Sequence, residues 1–404
     1  MVGRESWEAR PSSRTGTASA WYMARPAPTG AGSSAAKAGF LEWSPAPRAF
    51  PMSDFLLAAR ERYALPILGP LVEALAAAGH GVHAWFDGPL AEGGVVLPAP
   101  VRMVDTRAAV RLRPEAVLCA MDWVPPFFRG AKVQLFHGFN TSKHSDARGH
   151  FRIRGLFDLY CTQGPATTAS FQQLAARLGH FKVVETGWSK LDPLFRDDGG
   201  LAAQLRARGG GRPVAMFAST FTERVSAAPH LYDALRAEVA RGDRYWLLTL
   251  HPKCAPGLVA RYRGLAGGNA CFVEPEAIVT AQRAADVLVS DTTSVVPEFA
   301  IQHKPVVTFR HRAPEPWMID IQEPDALPAA LEEAFQPTAA RRAAIREHAD
   351  RIHPWRDGRS SQRVLQAVAD LVAGRLGPLA PKPFVARLRG LQIRGRLGYW
   401  GAGA

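Results

Sequence analysis

Five small polar residues in succession, at positions 290–294, have the types and spacing best suited to bind a phosphate group. They follow the β-branched and aliphatic run 287–289, which predicts a buried strand, and they precede a run compatible with a helix. Such a turn gathers backbone N–H groups, hydroxyl donors and the positive end of a helix dipole. We therefore predict a phosphate-binding turn, with an ordinary helix N-cap as the alternative. Its residues are Ser290, Asp291, Thr292, Thr293 and Ser294.

The segment 136–143 offers a candidate general base. His137 follows an apolar strand, Gly138 permits close approach of the backbone to a ligand, and Lys143 adds a cation six residues on. An imidazole with a pKa near ~6.5 can accept a hydroxyl proton at neutral pH, which the activation of an alcohol requires. The alternative is that His137 only forms a hydrogen bond within the turn.

Another predicted strand exit, residues 186–192, combines a glycine, a cation and an acid. Gly187, Lys190 and Asp192 are the residues that we assign to a ligand cleft. The alternative is a loop that closes a domain, in which Lys190 and Asp192 are solvated or pair with each other. Such a surface pair contributes little to stability.

Two strand exits in the second half of the chain carry phosphate-binding chemistry. Thr220 lies in a group of small hydroxyl residues that could donate hydrogen bonds to a phosphate or cap a helix. His251 and Lys253 follow an apolar strand and could neutralise charge that develops on a departing phosphate. A purely structural turn histidine is the alternative.

The elements that must position these residues form a repeated α/β pattern. Short apolar strands alternate with helical stretches, which predicts two Rossmann-like halves with mostly parallel, doubly wound sheets that enclose a cleft. The segment 208–212, which is rich in glycine, predicts a hinge, and helices at 339–348 and 361–373 are expected to end the second domain. We predict a disordered extension, an acceptor domain, a donor-nucleotide domain and a basic tail. Their bounds are 1–51, 52–207, 212–373 and 374–404.

Composition limits the class of protein. The 404 residues carry a formal net charge of +13, which implies an anionic ligand or surface. Four scattered cysteines show no CxxC spacing, so neither a zinc site nor a disulfide framework is indicated, and a reducing cytosol is expected. No apolar run approaches the ~20 residues of a membrane-spanning helix. Because residues 1–51 are poor in large aliphatics, we expect disorder there and translation from Met52.

Taken together, the motifs resemble those of the CDP-glycerol glycerophosphotransferase family, the teichoic-acid polymerase and primase group with a GT-B architecture. The resemblance covers residues 136–309, and short motifs in a fixed order carry it. These are His137-Gly138 with Lys143, Gly187 with Lys190 and Asp192, residues 218–221, His251 with Pro252, residues 290–295 and residues 304–307.

The resemblance implies a reaction and assigns roles. An acceptor hydroxyl, deprotonated by His137, would attack the β-phosphorus of a CDP-linked alcohol and release CMP, while His251 and the hydroxyl-rich turn hold the donor pyrophosphate. The acceptor would be a hydroxyl of a cell-envelope glycan or a lipid-linked molecule. No metal or other cofactor is required. Two arginines after the last motif, Arg310 and Arg312, could clamp a phosphate or be surface charge.

Two other functions stay open. A nucleotide-sugar glycosyltransferase or a UDP-sugar epimerase could use the same histidines and turn. A basic protein that binds nucleic acid without catalysis is a weaker alternative, because the basic residues are dispersed and no recognition helix is evident.

The tail, residues 374–404, contains six basic residues and no acidic residue, interleaved with aliphatic and aromatic ones. Such a segment can lie on an anionic membrane surface, and a cytoplasmic protein held on the inner membrane is one expectation. A disordered basic tail is the other, because Gly390, Gly395 and Gly398 weaken a helix.

Overall fold

The computed structural model describes residues 52–92, 95, 97, 100–139 and 153–400. Our expectations for residues 1–51 and for Lys143 lie outside these ranges. The described part of the chain forms thirteen β-strands and fourteen α-helices, whose bounds follow. The strands are β1 Asp54–Ala59, β2 Gly81–Phe86, β3 Arg102–Met103, β4 Ala116–Cys119, β5 Ala131–Gln134, β6 Leu159–Thr162, β7 Lys182–Glu185, β8 Val214–Ser219, β9 Tyr245–Leu250, β10 Ala270–Phe272, β11 Val287–Ser290, β12 Val306–Phe309 and β13 Ile319–Ile321.

Ten of the helices lie in connections between strands, and the last four follow the final strand. The helices are α1 Leu65–Ala77, α2 Pro89–Glu92, α3 Thr106–Arg111, α4 Pro165–Leu178, α5 Asp192–Phe195, α6 Leu201–Ala207, α7 Ala228–Arg241, α8 Pro256–Arg263, α9 Ile278–Ala284, α10 Val295–Ala300, α11 Leu327–Phe335, α12 Ala339–Ile352, α13 Ser360–Val372 and α14 Phe384–Arg396. Within the described ranges, none of these helices is both long and apolar enough to cross a bilayer.

Two parallel sheets organise the fold. The first has the order β3-β2-β1-β4-β5-β6-β7 and the second has the order β10-β9-β8-β11-β12-β13. Each order reverses once, between β1 and β4 in the first sheet and between β8 and β11 in the second. Open α/β sheets bind ligands outside the carboxyl ends of their strands at this point of reversal. The predicted α/β class with two Rossmann-like halves is therefore confirmed.

Central strands are apolar along their whole length because helices cover both faces of the sheet. All six residues of β8 and all six of β9 are buried, and their side chains alternate between two core clusters on opposite faces of the second sheet. The sequence pattern found these strands. It placed the exit of β7 at residues 186–192, but it did not find β6 or β13, which are only four and three residues long.

The chain returns from the second sheet to the first after α12. We expected the helix near 361–373 to end the second domain, but α13 packs on the first sheet instead. Its residues Val364, Ala367 and Val368 belong to the same buried cluster as Leu57 and Leu68. The reason is that α13 has an apolar face, which packs beside α1 on the first sheet.

The returning segment, residues 353–361, forms two sets of buried hydrogen bonds with the loop after β7. The Nε2 atom of His353 accepts a hydrogen bond from the Trp188 backbone N–H at 3.0 Å. Asp192, only 1% exposed, accepts hydrogen bonds from the backbone N–H groups of Ser360 and Ser361 and from the Ser361 hydroxyl at 2.6–2.8 Å. The carboxylate of Asp192 therefore caps the N-terminus of α13 from a distant part of the sequence.

Replacing Asp192 with alanine should lower the free energy of unfolding by about 3 kcal/mol, because it leaves buried N–H donors without an acceptor. Asp233→Ala is the matched control, since Asp233 is an exposed aspartate paired only with Arg236 at i+3. Chemical denaturation of both variants measures the difference. Equal stability of the two variants would show that the capping of α13 by Asp192 does not hold the returning segment.

Candidate functional site

The reversal point of the second sheet is held together by one buried carboxylate. Asp291 directly follows β11 and is fully buried. It accepts hydrogen bonds from the Ser219 hydroxyl at 2.5 Å, from the Thr220 backbone N–H at 3.1 Å and from the Ala227 backbone N–H at 2.9 Å. Burial raises the pKa of Asp291, and these hydrogen bonds oppose that shift. Asp291 thus ties the loop after β8 to the loop after β11.

The five predicted turn residues divide into buried and accessible ones. Ser290 is fully buried, and its hydroxyl donates to the Ala218 carbonyl at 2.7 Å. The Thr292 hydroxyl accepts a hydrogen bond from the Arg312 backbone N–H at 3.1 Å. Thr293 is half-buried, and Ser294 is exposed at the start of α10, where its hydroxyl does not cap the helix. Ser290 and Asp291 therefore build the turn, while Thr292, Thr293 and Ser294 form its accessible rim.

His251 follows β9 on the same edge of the sheet and is exposed. Its Nδ1 atom accepts a hydrogen bond from the Lys253 backbone N–H at 3.1 Å, so the neutral imidazole carries its proton on Nε2. Partial burial and the nearby Lys253 ammonium lower the pKa of His251. The side chain is therefore a neutral N–H donor at physiological pH.

An exposed aromatic ring braces this histidine. The Phe221 ring lies 4.5 Å from the His251 ring, centroid to centroid, and the Lys253 ammonium lies 5.3 Å from the Phe221 centroid. The sequence reading did not assign a role to Phe221. An exposed phenylalanine in a segment of small polar residues was the signal that could have marked it.

The first sheet presents His137 at the carboxyl end of β5. The preceding residue, Phe136, is buried and adopts a φ of 57°, a left-handed conformation that is rare for a bulky side chain. Strained residues of this kind concentrate at functional sites. The turn leaves His137 exposed, whereas Gly138 is buried and its carbonyl accepts a hydrogen bond from the Gln163 amide at 2.8 Å.

Tyr63, which the sequence reading missed, lies beside His137. Their ring centroids are 5.1 Å apart. Tyr63 follows β1, and Asp122 in the loop after β4 is close enough to act on it, so this pair lies at the reversal point of the first sheet. Burial, then Glu61 and Asp122, raise the pKa of the Tyr63 phenol. Only the strand order could have revealed this residue, because 74 positions separate it from His137.

The segment 186–192 joins distant parts of the fold. A Cβ atom on Gly187, whose φ is 77°, would lie 2.5 Å from the Ser360 hydroxyl, so only glycine fits. Lys190 pairs with Glu298 of α10, and Asp192 caps α13. Lys190 and Asp192 do not pair with each other, so the alternative prediction of such a pair is wrong. The Lys190–Glu298 pair brings the carboxyl edges of the two sheets together at β7 and α10.

The two arginines after β12 differ in their surroundings. Arg310 donates to the Gln322 carbonyl at 2.7 Å and pairs with Glu323 at 3.2 Å, which directs it along the second domain. Arg312 is exposed, and its backbone N–H donates a hydrogen bond to the Thr292 hydroxyl. Arg312 therefore lies beside the turn, whereas Arg310 is engaged elsewhere. Across the described residues, no three His, Cys, Asp or Glu side chains cluster as a metal site would require.

The division of the turn can be tested with two serine variants. Ser290→Ala should lower the free energy of unfolding by about 1 kcal/mol and leave the affinity for CDP nearly unchanged, because the hydroxyl is used by the Ala218 carbonyl. Ser294→Ala should preserve stability and weaken CDP binding by roughly fivefold. Denaturation and calorimetric titration of both variants measure these effects. The reverse pattern would contradict the assignment.

Buried His353 predicts a pH dependence of stability. Burial, reinforced by Arg356 and Arg363, lowers the pKa of His353 to about 3. In the unfolded chain it takes up a proton near ~6.5, and in the folded chain it does not, so the free energy of unfolding falls as the pH drops below ~6.5. Between pH 8 and pH 5 this loss should be about 2 kcal/mol.

The variant His353→Gln isolates this contribution, because a glutamine can accept the Trp188 hydrogen bond and does not titrate. Its stability should fall less than that of the wild-type protein over the same pH range. Denaturation curves at both pH values make the comparison. Parallel pH profiles would show that His353 is not the group responsible.

Comparison with known proteins identifies the fold. No family model and no curated protein matches the sequence. Among solved structures, the wall teichoic acid polymerase TagF aligns with a TM-score of 0.59 at 15% sequence identity, over 80% of this chain and 90% of that one. The same polymerase has been solved as a variant soaked with CDPG, which aligns with a TM-score of 0.57 at 14% identity.

Two further solved structures share the architecture. A complex of S. aureus MnaA with UDP aligns with a TM-score of 0.54 at 14% identity, over 82% of this chain and all of that one. A UDP-N-acetylglucosamine 2-epimerase aligns with a TM-score of 0.55 at 12% identity, over 82% and 99% of the two chains. At these identities the likeness establishes the fold alone. The chain has a GT-B-like fold of two Rossmann-like domains.

Proposed function

We propose that the protein transfers a glycerol-phosphate or related polyol-phosphate unit from a CDP-activated donor to a hydroxyl group of a cell-envelope glycan or lipid-linked acceptor. The protein would act on the cytoplasmic side of the membrane. The single observation that carries the proposal is the set of donors at one edge of the second sheet. His251 offers Nε2–H and Lys253 an ammonium, both on the edge where the Thr292–Ser294 rim lies.

Such an edge suits a pyrophosphate for electrostatic reasons. A neutral imidazole donor costs less to desolvate than an imidazolium, and the lysine supplies the positive charge. The buried Asp291 fixes both loops beforehand, so little reorganisation is needed when the donor binds. Asp291 itself is not exposed, so its carboxylate is not part of the accessible rim.

The reaction would divide between the two sheets. His137 takes the proton of the acceptor hydroxyl, and the acceptor oxygen forms a bond to the β-phosphorus of the donor. The bond from that phosphorus to the oxygen bridging to the α-phosphate breaks, and CMP leaves with the electron pair. His251, Lys253 and the rim of the turn stabilise the charge on the departing phosphate. The neighbouring Tyr63 ring would restrict the position of His137 or of the acceptor.

Variants of the two histidines test these roles. His137→Ala and His251→Ala should each lower the rate of CMP release from CDP-glycerol by roughly 10²–10⁴-fold. His251→Gln should retain part of the rate, because its amide can donate a hydrogen bond as Nε2–H does. Chromatographic assay of CMP measures the rates, with a lipid-linked or glycan acceptor present.

Donor binding separates the roles further. His137→Ala should bind CDP-glycerol as the wild-type protein does, whereas His251→Ala should bind it more weakly. His303→Asn is the matched control, because His303 is an exposed histidine with a φ of 62° that asparagine tolerates. Normal CMP release by both alanine variants would refute the proposal.

The shared fold makes nucleotide-sugar chemistry the principal competitor. Thermal stabilisation by CDP-glycerol, compared with that by UDP-N-acetylglucosamine, distinguishes the two functions. Stabilisation by the UDP-sugar alone, without CMP release from CDP-glycerol, would favour an epimerase or a glycosyltransferase.

A further inference from the structure

Helix α14 has two apolar faces, and the protein covers only one of them. Ala386, Gly390 and Ile393 are buried on its inner face. The outer face is exposed and carries large apolar side chains at a helical spacing. They are Phe384, Val385, Leu388 and Leu391.

Trp400 extends this outer face. After the helix ends, the chain turns at Gly398, and the Trp400 ring comes within 3.5 Å of the Cβ position of Gly395. Gly395 lies between Leu388 and Leu391 when the helix is viewed along its axis. Twelve large hydrophobic residues are exposed in the described part of the chain, and five of them belong to residues 384–400. The apolar residues of this surface are therefore concentrated and not scattered.

The inner face is firmly attached to the first domain. Lys382, just before the helix, pairs with Asp158 at 2.8 Å and donates to the Leu156 carbonyl. At the other end, Arg396 pairs with Asp87 at 3.1 Å, and the Tyr399 ring stacks on Phe127. These contacts hold α14 in place without using its outer side chains, so folding does not account for them.

The charge around the outer face of α14 indicates which partner this face binds. The segment 374–404 contains six basic residues and no acidic residue. Lys382 and Arg396 pair with Asp158 and Asp87 on the inner side, and Arg387 is exposed beside Leu388 and Leu391. Pairing of α14 with a second copy of itself would bring like charges together, which opposes self-association. An anionic lipid surface offers both hydrocarbon for the aromatic and aliphatic side chains and negative charge for Arg387.

We propose that the outer face of α14, completed by Trp400, docks the protein on an anionic bilayer. The helix lies in the plane of the lipid headgroups, with Phe384, Leu388, Leu391 and Trp400 inserted and Arg387 at the phosphates. This assignment goes beyond the proposed transferase reaction and does not depend on it.

The docked helix would also orient the first domain. Its beginning contacts residues 155–158 before β6, and its end contacts the loops after β2 and β4. Residues 155–158 lie at the amino end of β6, and the loops after β2 and β4 lie at the carboxyl ends of those strands, so α14 crosses one face of the first sheet and docking would turn that face towards the bilayer.

Vesicle flotation of the full chain tests the docking surface. The wild-type protein should float with vesicles of phosphatidylcholine and phosphatidylglycerol and not with phosphatidylcholine alone. The double variant Leu388→Glu and Leu391→Glu should bind at least tenfold more weakly. Leu201→Glu is the matched control, because Leu201 and Leu391 are equally exposed, at 53%, and Leu201 lies on α6.

A second variant controls for misfolding of the double variant. Arg387→Glu leaves the apolar side chains intact and should weaken binding to the anionic vesicles by more than fivefold. Binding of CDP should stay unchanged in all three variants, so a failure of docking is distinguishable from a failure of the proposed reaction.

Three results would overturn the inference. Flotation of the double variant like the wild-type protein would exclude the outer face, and equal binding to neutral vesicles would exclude the role of charge. A dimer in light scattering that the double variant abolishes, with no vesicle binding, would assign the surface to a second copy of the chain.

Discussion

The buried carboxylate of Asp291 is the interaction on which the candidate site depends. It replaces the water that would otherwise solvate the N–H groups of Thr220 and Ala227, and it does so at the point where the second sheet reverses its strand order. Two loops separated by more than sixty residues are thereby fixed relative to each other. A site that must stabilise developing charge benefits from such rigidity, because groups already in position need not reorganise during the reaction.

A second buried carboxylate plays the same part within the first domain. Asp192 caps α13, Gly187 allows His353 and Ser360 to approach, and Lys190 meets Glu298. These contacts therefore attach α13 to the first sheet. Asp192 and Lys190 are charged, Gly187 has a left-handed backbone conformation, and all three have structural roles. In this fold, the strand exits that carry polar residues include both accessible and structural positions.

The division between accessible and structural positions explains which features could be predicted from the sequence. Apolar runs such as 214–217 and 245–250 predicted the central strands, because helices on both faces demand continuous hydrophobic residues. The roles of individual side chains were harder to predict. Asp192 contacts residues 168 and 169 positions away, and Ser290 meets the carbonyl of Ala218 across neighbouring strands. No local pattern reports such partners, so buried and accessible residues of one motif looked alike. Tyr63 and Phe221 were missed for a related reason, since an aromatic residue gains meaning only from the histidine beside it.

The central claim is that the edge of the second sheet binds the pyrophosphate of a CDP-linked alcohol while His137 serves the acceptor. A crystal structure of the protein soaked with CDP-glycerol tests it most directly. The account predicts the two phosphates at the Thr292–Ser294 rim, with a phosphate oxygen within hydrogen-bond distance of His251 Nε2 and the glycerol directed towards the first sheet. Nucleotide bound away from His251 and the rim, or a glycerol directed away from His137, would contradict it.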